Sequence, residues 1–389
     1  MFPLENIRIL DLSMYLPGLY CSLLLGDLGA EVIHVSAPTE RVDKTAQIQM
    51  PLNLNRNKKS IILDLKTLEG KEILRRLLIR SDILIEHFRP ATSEKLGVSY
   101  SETKEINPRL IHCSITGYGQ DGPYRDRVGH DINYLALSGI LGLTGEKEGP
   151  PIVPGVPIAD LTSAMFGSLS ILAALLYREK TGKGQFIDVA MFDGMVSWLT
   201  FLAASHFAGG AIHRGELLLA GYWPWYNVYK TKDGEYLSIG AMEKKFWDNL
   251  CQKLDHPEWK PHQYDKERRQ EIHSELERIF LSKTQDEWIA FWGNQEICCE
   301  PVLSLNEVFL HPQVVHRQMI QECFHPVLKK MVKQLGIPMK FGEAPVQVKS
   351  PGPLPGQNTE EILKELNLSE EEINLLKSKQ VIGVMEFQK

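Results

Sequence analysis

Ile7-Arg8-Ile9-Leu10-Asp11-Leu12-Ser13-Met14-Tyr15-Leu16-Pro17-Gly18 begins as an apolar run and turns into a proline-led helix start. The run over 7–12 reads as a short strand. Proline near the first turn of a helix is tolerated, because the N–H it lacks has no intrahelical partner there. The helix continues through the leucine-rich segment 21–28 and stops at Gly29, and 31–35 (Glu-Val-Ile-His-Val) reads as a second strand. Strand, helix, strand is the repeating unit of an α/β fold with a parallel sheet. A dinucleotide-binding version would carry G-x-G-x-x-G directly after the first strand. The turn at 11–18 does not, so the expectation is a Rossmann-like domain without a nicotinamide cofactor.

Further along, Asn55-Arg56-Asn57-Lys58-Lys59-Ser60 reads as a basic loop entering a strand at 61–65. Such a run is either a solvated face or a phosphate clamp. A helix over 66–80 and a strand over 82–86 follow, the strand ending in His87-Phe88-Arg89-Pro90. A cation just past the end of a parallel strand stands where α/β folds bind ligands. The next strand, 109–115, runs into Gly117-Tyr118-Gly119-Gln120-Asp121-Gly122-Pro123, a loop whose exposed backbone suits close ligand approach. Gly129-His130-Asp131-Ile132-Asn133-Tyr134 then enters a helix over 131–142. A Gly/Pro loop over 145–157 leads to a helix over 158–177, rich in small residues, with Asp160 near its start. A turn at 181–185, a strand at 186–189 and a helix from 191 to about 207 complete this half.

After Gly209-Gly210 the composition shifts. Tyr222, Trp223, Trp225, Tyr226 and Tyr229 form an aromatic segment that reads as packing or as the wall of an acyl pocket. Lys232-Asp233-Gly234 is a hairpin turn between strands at 226–229 and 236–239. Amphipathic segments at 245–254, 272–281 and 285–292 continue this smaller α/β piece. Helices at 359–366 and from Ser369-Glu370-Glu371-Glu372 close the chain, the acids sitting where the helix dipole favours them. The expected organisation is a large α/β domain over 1–205, completed by about 330–389, a linker over 206–224, and a small domain over 225–329.

Of the 389 residues, 43% are apolar and 24% charged, and the net charge is −6. That balance argues against a nucleic-acid surface, which needs a basic excess. The six cysteines show no CxxC spacing and read as reduced, buried thiols. No secretory signal or lipid motif is recognisable, and apolar stretches such as 171–177 are shorter than the ~20 residues a bilayer span needs. The expectation is a cytoplasmic protein that touches neither membrane nor nucleic acid. There is no G-x-S-x-G elbow, P-loop, H-E-x-x-H or cysteine–histidine metal spacing, so no metal is expected.

His130 alone reads as a cap or surface histidine as readily as a base. Asp160 at a helix start reads equally as an N-cap, and Glu243 in Gly240-Ala241-Met242-Glu243-Lys244 as a first-turn acid. The ordered motifs add to this. They include Leu25-Gly26-Asp27-Leu28-Gly29-Ala30-Glu31-Val32, Arg56-Asn57-Lys58-Lys59, Asp64-Leu65-Lys66 and Leu84-Ile85-Glu86-His87-Phe88-Arg89-Pro90. Glu94-Lys95-Leu96-Gly97, the loop at 117–123, Thr181-Gly182-Lys183-Gly184-Gln185 and the 240–243 segment continue the series. With them the chain resembles, over nearly its whole length, the family III CoA-transferases of the CaiB/BaiF type, and within them the α-methylacyl-CoA racemases.

The resemblance implies roles. In the transferases the aspartate matching Asp160 is the nucleophile that carries acyl and CoA intermediates. In the racemases it pairs with the histidine matching His130, supported by the glutamate matching Glu243. It further implies that Leu63, Asp64, Leu65, Lys66, His87, Phe88, Arg89, Gly129, Asp131, Ile132, Asn133 and Tyr134 line the coenzyme A path. Lys58, Lys59, Arg89 and Lys95 hold its phosphates. Coenzyme A would be part of the substrate, with no further cofactor, and the fold an interlaced homodimer. One departure is Ala37, where an arginine is expected after the second strand, with Arg41 close by.

Inverting a carbon beside a thioester needs two acid/base groups on opposite faces of an enolate, and an imidazole with a carboxyl of raised pKa suits this. Backbone N–H groups at the start of the helix at Asp131 would serve the oxyanion, at ~3–4 kcal/mol per donor. The leading expectation is a 2-methylacyl-CoA racemase using His130 and Asp160. The alternative is a CoA-transferase using Asp160 as nucleophile.

Overall fold

The structure is a computed structural model that describes residues 1–38 and 49–383. Arg41 lies outside the described residues. The chain separates into two compact units, one of residues 1–138, 154–198 and 312–389, the other of 139–153 and 199–311.

The first unit is built on a seven-stranded sheet. Its strands are β1 (Arg8–Asp11), β2 (Glu31–Ser36), β3 (Lys58–Leu63), β4 (Ile83–Glu86), β5 (Ile111–Thr116) and β6 (Phe186–Ala190), with the short β12 (Ile382–Gly383) at one edge. The order is β12-β3-β2-β1-β4-β5-β6, parallel throughout except for β12, which runs antiparallel to β3. Strand order reverses at β1, which pairs with both β2 and β4. In open α/β sheets ligands bind beyond the carboxyl ends of the strands at such a point.

Successive side chains of a strand point to opposite faces. Ile9 therefore joins a core with Cys21, Leu25, Ile83, Ile115, Ala164 and Ile171, and Leu10 joins another with Ile33, Leu63, Leu74 and Leu363. The helix Ile158–Thr181 packs closely because its contact residues are small. A Cβ on Gly167 would stand 3.0 Å from Ile115 Cδ1 and 3.2 Å from Cys21 Sγ. This helix extends past the sequence-expected end at 177. It is long and apolar enough to cross a membrane, with a mean hydropathy of 1.6, and half of that window is buried within the protein. An antiparallel ribbon, β10 (Ile320–His325) with β11 (Lys330–Leu335), also belongs to this unit.

Local boundaries differ from expectation for identifiable reasons. Lys58 and Lys59 are not in a loop but open β3, where Lys58 aligns with Val32 and Lys59 with Ile33. The helix expected over 131–142 ends at Leu137, because Gly139 takes a left-handed φ of 91° and starts a separate turn. The helix expected from 191 to 207 divides into Met191–Ser197 and Thr200–Phe207.

The second unit carries the antiparallel sheet β7 (Tyr226–Lys230), β8 (Tyr236–Gly240) and β9 (Cys299–Pro301). Helices Lys244–Lys253, Arg269–Phe280 and Gln285–Trp292 pack on it around Trp225, Tyr229, Trp247, Phe280, Trp288 and Trp292. The aromatic segment is thus core: Trp225 and Tyr229 are fully enclosed, and Trp223 stacks on Trp225 at 6.0 Å. Thr284 and Glu287 form a reciprocal cap that starts the last of these helices.

Candidate functional site

His130 and Asp160 are far apart in sequence, and the fold brings their backbones together through Asp131. The helix Asp131–Leu137 starts directly after His130, whose N–H donates to Asn133 Oδ1 at 2.9 Å. Asp131 Oδ1 accepts from Ala159 N at 2.6 Å and Asp160 N at 3.3 Å. The orphan donors at the start of the Ile158–Thr181 helix are thereby capped by a carboxylate from another segment. Asp160 is therefore not its own N-cap. Among the described residues no donor engages its side-chain carboxyl.

That carboxyl is half-buried. Burial raises its pKa to about 6, the Asp131 carboxylate adds to the rise, and His130 opposes it. His130 is itself exposed. Tyr134 anchors the segment from below, its hydroxyl donating to Gly129 O at 2.7 Å. Burial, then Tyr118, Asp160 and Asp131, push that phenol up to about 12, so it stays a neutral donor. A Cβ at Gly117 would come within 2.5 Å of the Tyr134 hydroxyl, so this glycine is required by close approach. Ile132 and Asn133 are exposed beside His130. The N–H groups of Asp131 and Ile132 precede the first backbone bond of the turn, Asn133 N to His130 O at 2.8 Å.

A second set of expected residues gathers past the end of β4. Phe88 N donates to Glu86 Oε2 at 2.5 Å, and Gln120 Nε2 donates to Phe88 O at 3.1 Å and Ser114 Oγ at 2.6 Å. Gln120 thus ties the glycine-rich loop to the His87–Arg89 turn. His87 packs edge-on against Tyr15, ring centroids 5.3 Å apart, and its Nδ1 is buried with no hydrogen-bond partner among the described residues. Burial pushes this imidazole's pKa down, so it is neutral near pH 7. Arg89 is exposed and donates to Asp126 O at 3.1 Å, and Lys95 and Lys66 are exposed as well. Leu63 is buried, and Leu65 and Phe88 pack against the same core. Asp64 Oδ1 accepts from Lys66 N at 2.9 Å.

The structure corrects the phosphate clamp expected at Arg56, Lys58 and Lys59. Lys58 is fully buried, its ammonium 3.3 Å from Asp11 Oδ2 and hydrogen-bonded to Ser22 Oγ and Leu19 O. Burial alone would raise the Asp11 carboxyl; Lys58 and His34 more than offset this and hold it well below the usual carboxylate range. Lys59 sits among Glu31, Glu361 and Glu365 at 2.8–3.1 Å. Arg56 grips Asp27 in a two-point contact at 3.0 and 2.6 Å. All three cations are matched by internal carboxylates, which the buried positions of Arg56 and Lys58 require. Ala37, just past β2, is exposed.

Glu243 lies in the second unit as the residue preceding the helix Lys244–Lys253, exposed, and its side chain makes no capping bond among the described residues. It lines an open depression of about 690 Å³ with Met242, Lys244, Lys260, Gln263, Tyr264 and Asp265. Among the described residues no three His, Cys, Asp or Glu side chains gather as a metal site. The capping role of Asp131 was not visible in the sequence. Its only trace there is the acidic residue following His130.

The family model described as CoA-transferase family III matches residues 4–359. Succinyl-CoA:glutarate CoA-transferase of Mus musculus is 35% identical, covering 94% of this chain and 87% of its own length. Alpha-methylacyl-CoA racemase of Homo sapiens is also 35% identical, covering 97% of both chains. Succinyl-CoA–D-citramalate CoA-transferase of Chloroflexus aurantiacus is 32% identical over 98% of both. Among solved structures, a CAIB/BAIF family protein from Brucella suis superposes with a TM-score of 0.81 at 30% identity, over 94% of this chain and 99% of that one. Rv3272 from M. tuberculosis gives 0.78 at 28%, over 92% and 98%. With this mixed α/β architecture and a family match over most of its length, the chain belongs to CoA-transferase family III.

Proposed function

We propose that the chain moves coenzyme A between carboxylic acids, with Asp160 as the nucleophile. The observation that carries this reading is the state of Asp160. It is a half-buried carboxyl at a helix start whose capping bonds are made by a different carboxylate, leaving its oxygens without a donor among the described residues. Relatives named as CoA-transferases support the same chemistry.

The steps follow from the carboxylate. An Asp160 oxygen attacks the thioester carbonyl carbon and expels CoA thiolate, giving a mixed anhydride. The thiolate then attacks the Asp160 carbonyl, releasing the first acid with one oxygen from Asp160 and leaving an aspartyl-CoA thioester. An acceptor carboxylate attacks that thioester, and the freed thiolate takes the acceptor's acyl group, returning Asp160 with one oxygen from the acceptor. The backbone N–H groups of Asp131 and Ile132 serve the oxyanion in this reading. Arg89 and Lys95 serve the CoA phosphates, with 63–66, 87–89 and 129–134 along the CoA path.

A homodimer is part of the proposal. Met165, Leu169 and Leu176 are exposed at helical spacing on Ile158–Thr181, 60%, 62% and 67% accessible in the single chain. Trp198 is also exposed. An apolar stripe of this size fits an interface between copies.

A second reading is favoured by one specific observation, the placement of His130 directly before Asp131, whose carboxylate caps the helix start that holds Asp160. An imidazole beside a carboxyl with a pKa of about 6 can trade a proton across an enolate, which is 2-methylacyl-CoA racemase chemistry. The two separate when an acyl-CoA is incubated in deuterated water with and without an acceptor acid. Transfer requires the acceptor and leaves the α-proton in place. α-Deuterium appearing without an acceptor, and abolished in His130→Ala, would favour the racemase.

A further inference from the structure

We propose that Asp131 is the positioning residue of Asp160: its carboxylate fixes the backbone at 159–160 from a separate segment and leaves the Asp160 side chain free to react. The inference rests on Asp160 being the reacting carboxylate. It gives the Asp131 carboxylate a role beyond lining the CoA path.

A helix that starts with an acid three residues in has an obvious local solution. The N-cap side chain accepts from the N–H of the second or third residue, and the acid at the third position folds back on the N-cap N–H. Here the N-cap residue is Pro157, which has neither a side-chain acceptor nor an N–H. The reciprocal cap that would occupy Asp160 is therefore unavailable. The vacant acceptor position is filled by Asp131 Oδ1, with 2.6 Å to Ala159 N and 3.3 Å to Asp160 N. Asp131 is held in turn by the short helix it begins, which the His130 N–H to Asn133 bond closes. Proline at 157 and aspartate at 131 thus act as a pair: one denies Asp160 a partner in its own turn, and the other takes over the work at the N–H groups.

The arrangement also sets charge. Two carboxylates held close by one helix start disfavour each other's ionisation. The groups that face Asp160 are Asp131, which makes it harder to ionise, and His130, which opposes that effect. Tyr134, from the helix that Asp131 begins, also senses the Asp160 charge. Asparagine at 131 keeps an acceptor oxygen for both N–H groups and removes the charge, whereas alanine removes both. The two substitutions therefore divide the role into geometry and charge.

The test is carbon NMR of the full chain labelled at aspartate carboxyl carbons, titrated with pH, with the Asp160 signal identified by its loss in Asp160→Asn. Amide exchange at Ala159 and Asp160 is measured in parallel. In the wild type Asp160 should titrate near pH 6. Asp131→Asn lowers the midpoint by about one pH unit while those amides stay protected. Asp131→Ala lowers it as well, and the amides exchange at least tenfold faster. A merely structural role would move exchange and leave the Asp131→Asn midpoint where it was, and that result overturns the inference. Unchanged exchange in Asp131→Ala overturns it too. Failure of the transferase reading looks different, because the midpoint then moves as described while no acyl-CoA and acceptor pair gives turnover.

Discussion

Asp160 makes the account quantitative at the scale of one side chain. Attack on a thioester needs the ionised carboxylate, and burial with the neighbouring Asp131 places the midpoint at about 6. For a carboxyl whose pKa is raised, the reactive form is fully present above that value and is lost as pH falls through it. The rate of CoA transfer at limiting acyl-CoA should therefore be level above about pH 7 and fall toward tenfold per unit below 6, as a pH–rate profile will show. Asp160→Asn should remove turnover by at least a thousandfold, or roughly 4 kcal/mol of barrier. A different residue-scale prediction concerns Asp27, buried against Arg56 and Asn57. Removing one partner leaves an uncompensated buried charge, so Asp27→Ala should cost about 3–5 kcal/mol in denaturant unfolding.

Among elements, the turn between the Ile158–Thr181 helix and β6 offers a contrast between two glycines of one motif. Gly182 ends the helix with φ 73° and has open space around its Cβ position, apart from Arg109 at 3.7 Å. Gly184 has no positive φ, yet a Cβ there would lie 2.0 Å from Leu110 O, where the chain enters its pairing with β5. Gly182→Ala should cost about 1 kcal/mol. Gly184→Ala should cost several times more, because backbone would have to move, and thermal melts of the two variants will rank them. Elements are also where the sequence was most legible. Strand–helix–strand at the amino terminus, the hairpin around Asp233-Gly234 and the long small-residue helix all appear where apolar spacing and turn residues put them. Lys58 and Lys59 were misread because two charges in succession do not resemble a buried strand. Their partners Asp11, Glu31, Glu361 and Glu365 come from other parts of the chain, so only the fold supplies the compensation. The cap on Asp160 was hidden for the same reason: Asp131 and Asp160 meet through a tertiary contact with no local signature.

For the whole molecule, the exposed stripe on the 158–181 helix carries the prediction. If it is the dimer interface, light scattering should give twice the chain mass, and Leu169→Glu should yield monomer or aggregate with far-UV signal retained. A wild-type monomer at micromolar concentration would leave the stripe unexplained and remove the homodimer from the account. The most direct test of the central claim is to trap the covalent intermediate. The protein is incubated with an acyl-CoA, treated with borohydride and digested, and the peptide containing residue 160 is read by mass spectrometry. The account predicts that the Asp160 side chain is reduced to an alcohol only when acyl-CoA was present, and not in Asp160→Asn. An unmodified Asp160 in a preparation that incorporates deuterium at the α-carbon without any acceptor acid would contradict it.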